Sequence, residues 1–145
     1  MVEPRALSET FAASTQLSES DFAALAAAGY KTIINNRPDG EEPGQLTAAA
    51  ARQLAQDHGL NYIYIPVKMP ELTPEVVAQF QAALAENPGP ILAHCRSGTR
   101  SSLLWTIAMA KQTDASIDEL IQGAAQAGYD LTRFRPLIEQ LAKAD

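Results

Sequence analysis

Three times in this chain a helical stretch halts at a glycine, alone or within a proline-rich turn, and a short apolar run follows at once. That alternation restricts the fold more than any other feature. Residues Ser18 to Ala28 open with the cap Ser18-Glu19-Ser20-Asp21, carry Phe22, Leu25 and Ala26 at helical spacing, and stop at Gly29. Tyr30-Lys31-Thr32-Ile33-Ile34 then reads as a strand running into the turn formers Asn35 to Gly40. Gln45 to His58 repeats the pattern with Leu46, Ala50 and Leu54, closing at Gly59 before a strand over Asn61 to Val67. Thr73-Pro74-Glu75 places a capping hydroxyl, a proline at the first helical position and an acid in the first turn ahead of Val76, Val77, Phe80 and Leu84. Asn87-Pro88-Gly89-Pro90 ends that helix, and Ile91-Leu92-Ala93 is too short for a helix but suits a buried strand. Residues 94 to 100 turn into a helix over Ser101 to Lys111. The capping box Ser116-Ile117-Asp118-Glu119 begins another that ends near Gly128, and a last one covers Arg133 to Lys143.

Strands separated by helices of this length imply right-handed crossovers. The expected fold is α/β: a mainly parallel central sheet of four to five strands with helices on both faces. The 145 residues suit a single domain over 1–145. Ligands bind such sheets beyond the carboxyl ends of the strands, so the loops after Ile34, Val67 and Ala93 are expected on one rim. Those loops carry Arg37 and Asp39, Lys68 and Glu71, and His94 to Arg100.

Composition narrows the function. A hydrophobic share of 46% with 19% charged residues describes a globular chain. The net charge of −6 disfavours nucleic acid and anionic membrane surfaces as partners. The segment MVEPRALSET lacks the apolar core of a signal peptide, and no stretch approaches the ~18 apolar residues of a membrane span, so a cytoplasmic protein is expected. Cys95 has no disulfide partner, and His58 and His94 alone offer no zinc spacing; neither a metal nor a cofactor is expected.

The informative segment is Ile91-Leu92-Ala93-His94-Cys95-Arg96-Ser97-Gly98-Thr99-Arg100-Ser101. A thiol at a strand end, facing the first turn of a helix, meets unpaired backbone N–H groups and the positive end of the helix dipole. Cys95 is therefore expected to act as an anionic nucleophile, with Arg96 and Arg100 favouring the same form. Gly98 permits a backbone conformation that turns successive N–H groups of Arg96, Ser97, Gly98 and Thr99 inward as an anion nest. Arg100 offers a planar fork to two oxygens of a tetrahedral anion. Ser101 is placed to donate to the sulfur and stabilise it as a leaving group, and His94 to support the loop. The expected partner is a small anion.

Residues His94-Cys95 through Arg100-Ser101 resemble the signature of cysteine-dependent protein phosphatases, and Asn61 to Ser101 resembles their dual-specificity branch. Gly29 to Glu41, this loop and the late Ala127-Gly128-Tyr129-Asp130 are similar to the bacterial phosphatase-like domain called beta-lactamase-hydrolase-like, across nearly the whole chain. The resemblance implies hydrolysis of phosphate esters through a phosphocysteine. The chain departs from the pattern twice. Only Arg96, Ser97, Gly98 and Thr99 separate Cys95 from Arg100, one residue fewer than the cysteine-phosphatase loop, and this shorter spacing resembles rhodanese-like sulfurtransferases. Where dual-specificity phosphatases carry an acid after the strand 61–67, Lys68 stands here. Asp39 is the candidate general acid in its place, with Glu71 on the same expected rim.

Three readings remain open: a phosphatase-like hydrolase, a sulfurtransferase that carries sulfane sulfur as a Cys95 persulfide, and a non-catalytic module for phosphorylated ligands. Read alone, several of these residues have plainer roles. Asp39 sits in a Pro-Asp-Gly turn, Arg96 can face solvent, His58 complements a helix end, and Trp105 reads as core.

Overall fold

The computed structural model describes residues 2–69 and 71–144. Strands β1 (Arg5–Ala6) and β2 (Phe11–Ser14) come first, followed by α1 (Glu19–Ala27), β3 (Thr32–Asn35), α2 (Ala48–Asp57) and β4 (Asn61–Tyr64). Then come α3 (Pro74–Glu86), β5 (Ile91–His94), α4 (Thr99–Gln112), α5 (Ile117–Gln126), a single 3-10 turn (Thr132–Phe134) and α6 (Arg135–Lys143). The sheet order is β1-β2-β5-β3-β4, parallel throughout except for the antiparallel β1–β2 pair at one edge. The expected α/β fold with a mainly parallel sheet is the observed one.

Period-two alternation sorts each strand's side chains between two cores. Phe11, Ala13, Ile34, Ile91 and Ala93 pack with residues of α3, α4, α5 and α6. Ala12, Ile33 and Leu92 face the other way onto Phe22 and Leu25 of α1 and Ala51 and Ala55 of α2. Helices thus cover both faces, which satisfies the two-sided hydrophobicity of parallel strands.

Two differences from the sequence expectation have physical causes. Strands β1 and β2 are missed by pattern reading, because Phe11-Ala12-Ala13-Ser14 has no β-branched residue and its smallness serves close packing between two layers. The strand expected over 61–67 is regular only to Tyr64. Beyond it, the N–H groups of Ile65 and Val67 donate to the carbonyls of Asn35 and Asn36, so the chain stays beside the end of β3 as an extended connector.

Register places the site. Ser14 pairs with His94, His94 with Asn35, and Asn35 with Tyr64, so β2, β5, β3 and β4 end level with one another. The loops that leave them share one rim. Among the described residues no helix is long and apolar enough to cross a membrane.

Candidate active site

Four buried residues of β5, from Ile91 to His94, deliver the chain to Cys95, and four residues later α4 begins. Gly98 caps that helix with φ 101°, a left-handed conformation that costs glycine little and other residues about 1–2 kcal/mol. The turn directs the Gly98 N–H at Cys95 Sγ, 3.1 Å away. A second constraint holds position 98 at glycine: a Cβ there would lie 2.3 Å from Tyr129 Oη. Tyr129 is buried, and its hydroxyl group lies against the loop at Gly98. Cys95 is itself only 1% exposed, at the floor of the turn.

The loop is tied to its neighbours through the backbone. Asn36 N–H donates to the His94 carbonyl at 2.7 Å, and Gln16 N–H donates to the Arg96 carbonyl at 3.1 Å. His94, 1% exposed, has Nδ1 3.2 Å from the Cys95 carbonyl oxygen. Burial, reinforced by the positive charge of Arg37, pushes its imidazole pKa down to about 4, so the ring is neutral at physiological pH.

Ser101 takes a different partner from the one the sequence suggests. Its hydroxyl donates to Asn36 Oδ1 at 2.8 Å rather than to the sulfur, and Asn36 Nδ2 in turn donates to the Ile65 carbonyl at 2.9 Å. The serine therefore fastens the first turn of α4 to the end of β3 and the connector after β4.

Arg100 reaches back over the rim. Nη1 donates to Glu41 Oε2 at 2.8 Å and to the Val67 carbonyl at 2.9 Å, and Nη2 donates to Glu41 Oε1 at 2.9 Å. A guanidinium has five N–H donors, and these three bonds take both hydrogens of Nη1 and one of Nη2. Among the described hydrogen bonds none uses Arg100 Nε, so the Nε–Nη2 edge keeps a two-pronged fork open. The Glu41 carboxylate raises the Arg100 pKa further, and the Cys95 charge acts in the same direction.

Glu41 also accepts from Arg37 Nε at 2.9 Å. The Arg100 hydrogen bonds, joined by those of Arg37, outweigh the opposing effect of burial and hold its carboxyl down at about 2. Glu42 receives Arg37 Nη2 at 2.6 Å and Arg96 Nε at 3.1 Å. The Arg96 side chain is otherwise 67% exposed. Arg37, 3% exposed, completes its contacts on Gln16 Oε1. Ser97 and Thr99 bond each other through their hydroxyls at the surface.

Asp39 is placed on the same loop but turned toward α2. Its Oδ1 accepts from the Ala48 N–H at 2.9 Å, and its own N–H donates to Tyr64 Oη at 2.9 Å. Glu71 is exposed, and its N–H donates to the Lys68 carbonyl at 2.7 Å. Among the described residues no cluster of histidine, cysteine and carboxylate side chains could hold a metal ion.

Glu42 is a site neighbour that the sequence did not single out, and Glu41 and Tyr129 entered only within the segments that carry the family resemblance, without a role in the site. The signal available for the acids was indirect: an arginine in the first turn of α4, where the helix dipole disfavours a cation, calls for a counter-ion.

Comparison with known proteins agrees with this architecture. Residues 3–112 match the family described as beta-lactamase hydrolase-like protein, phosphatase-like domain. A beta-lactamase hydrolase-like protein of Agrobacterium fabrum is 36% identical over 125 residues, covering 86% of this chain and 29% of its own length. The chain spans about a third of the curated relatives it matches, at 29% and 32% of two of them. A phosphatase candidate of known structure from Neisseria meningitidis superposes with a TM-score of 0.85 at 35% identity, covering 94% of this chain and 96% of that one. A Pseudomonas aeruginosa protein solved in complex with phosphotyrosine shares the fold, with a TM-score of 0.65 at 19% identity, covering 95% of this chain and 82% of that one. The match over most of the chain, with the same fold in a relative of similar length, makes this protein a member of the beta-lactamase hydrolase-like, phosphatase-like domain family.

Proposed function

We propose that this domain hydrolyses phosphate monoesters with Cys95 as the nucleophile. The observation that carries the reading is the pairing of Cys95 Sγ with the Gly98 N–H at a helix N-terminus, beside an arginine whose Nε takes part in none of the described hydrogen bonds and whose guanidinium acts on the Cys95 side chain. Backbone N–H groups of residues 96 to 99 and that edge of Arg100 hold the phosphoryl oxygens as charge develops on them. Sγ attacks phosphorus, the phosphorus–oxygen bond to the leaving group breaks, and a phosphocysteine forms. Water then attacks phosphorus, the sulfur leaves as thiolate, and inorganic phosphate departs. Ser101 serves by holding the loop through Asn36, and His94 by supporting it as a neutral ring.

Asp39 is read here as a cap of α2, so the leaving oxygen takes its proton from solvent. That chemistry suits aryl esters, whose phenolate leaves more readily than an alkoxide, and the phosphotyrosine complex of the Pseudomonas protein points to the same class. The descriptions of the relatives named above speak of phosphatase-like and beta-lactamase hydrolase-like proteins, so the sulfurtransferase reading has no support from them.

The test is release of phosphate from 4-nitrophenyl phosphate and from a phosphotyrosine peptide, with Cys95→Ser as control and thiosulfate with cyanide as a parallel assay. Phosphate release that vanishes in Cys95→Ser, without thiocyanate, is expected. Thiocyanate without phosphate would establish sulfur transfer instead, and silence in both, with retained phosphate binding, would leave a binding module.

A further inference from the structure

We propose that Glu41 is the positioning residue for Arg100, and that the turn bearing it exists to aim the arginine's free edge at the anion cradle. An arginine in the first turn of a helix faces the positive end of the dipole and carries its guanidinium on a flexible three-methylene stem, so left alone it would be both disfavoured and mobile. Here Glu41 binds it end-on through both carboxylate oxygens, and the Val67 carbonyl fixes the remaining Nη1 hydrogen. Rotation of the guanidinium about its long axis is thereby restricted, and the edge left over is Nε–Nη2.

Glu41 is in turn held from behind. Arg37, buried between β3 and the loop, donates to its Oε1, and Glu42 beside it bridges Arg37 and Arg96. The turn itself is closed by Gln45, whose Oε1 accepts from the N–H groups of Glu41 and Glu42 at 3.1 and 3.3 Å while its Nε2 donates to the Pro38 carbonyl at 2.9 Å. A carboxylate braced in this way costs little further ordering when a substrate arrives.

End-on pairing separates positioning from blocking. A carboxylate acting as a stand-in for the substrate would occupy the fork the substrate needs, whereas Glu41 occupies the neighbouring Nη1–Nη2 edge of the same group and leaves Nε and the second Nη2 hydrogen to the fork.

The kinetic part of this inference rests on the hydrolase reading, and an anion-binding measurement tests it separately. Glu41→Gln is expected to lower kcat for 4-nitrophenyl phosphate by about ten- to a hundredfold with KM changed by less than about threefold. In an Arg100→Lys background the same substitution is expected to cost less than about twofold, because its effect passes through the arginine. Glu41→Asp, which keeps the charge and shortens the reach, is expected to fall between wild type and Glu41→Gln. It also keeps the test open if the glutamine variant fails to fold. Tungstate alone, followed by the rise it gives in Tm, is expected to stabilise Glu41→Gln less than wild type.

Equal losses in both backgrounds would reduce Glu41 to a general structural role and overturn the inference. Faster hydrolysis or a larger tungstate shift in Glu41→Gln would overturn it in favour of an inhibitory plug. If the wild type hydrolyses nothing yet its tungstate shift depends on Glu41, the hydrolase reading fails and the positioning role stands.

Discussion

A side-chain carbon on Gly98 would sit 2.3 Å from Tyr129 Oη and 2.8 Å from two ring carbons of the same tyrosine. Gly98→Ala therefore meets two penalties, a left-handed φ of 101° and a collision with a buried aromatic ring. Their sum is about 2–5 kcal/mol, from about 1–2 for the backbone and about 1–3 for overpacking. Urea unfolding is expected to show that loss. Removing the hydroxyl with Tyr129→Phe is expected to recover only a small part, since the ring carbons remain in the way. Recovery of full stability in the double variant would mean that the hydroxyl alone enforces glycine.

His94 makes stability depend on pH in a window of its own. Its folded pKa of about 4 lies below the ordinary 6.5, so between those values the unfolded chain binds a proton that the folded chain does not. Unfolding free energy therefore rises with pH across the window, and stability is lost as pH falls from 6.5 toward 4, by roughly 3 kcal/mol at most. Glu41 acts lower, between its ordinary 4.5 and about 2, where protonation removes its pairing with Arg100. Urea midpoints at pH 7 and pH 4.5 are expected to differ in the wild type and to converge in His94→Asn. An unchanged difference in that variant would exclude His94 as its source.

Legibility in the sequence followed the range of the interactions. Thr32-Ile33-Ile34 and Ile91-Leu92-Ala93 read as strands because β-branched and aliphatic side chains suit a sheet buried on both faces, and two helices announced themselves through Thr73 and Ser116, which do cap α3 and α5. The turn from Cys95 to Arg100 was equally visible, since a strand end, a glycine and a helix start lie within six residues. Glu41 was not, because its partner Arg100 is 59 positions away and nothing in local spacing tells which loop will lie against the rim. Ser101 shows the same limit in reverse: proximity in sequence suggested the sulfur, whereas topology supplied Asn36, 65 positions away and fully buried.

That Ser101–Asn36 bond carries its own consequence. Both residues are 0% exposed, so Ser101→Ala leaves the Asn36 Oδ1 atom without its described donor in a place water reaches poorly. A loss of about 1–3 kcal/mol in urea unfolding is expected. Rapid-mix kinetics with 4-nitrophenyl phosphate is expected to show no larger burst of nitrophenol than in the wild type, because the hydroxyl does not stabilise the departing thiolate. A large burst with slow turnover would return Ser101 to the sulfur.

Asp39 separates a helix cap from a proton donor. Its carboxylate accepts from Ala48 N–H at the start of α2, so Asp39→Ala is expected to lower stability by about 1 kcal/mol while Asp39→Asn, whose amide oxygen still accepts, lowers it less. A general acid leaves another mark: its removal slows esters of poor leaving groups far more than those of good ones, because the proton matters most where the departing oxygen is most basic. The ratio of kcat for 4-nitrophenyl phosphate to kcat for phenyl phosphate is expected to stay within about twofold of wild type in Asp39→Asn. If that ratio climbs by about tenfold or more, the carboxylate must leave α2 during turnover and protonate the leaving oxygen.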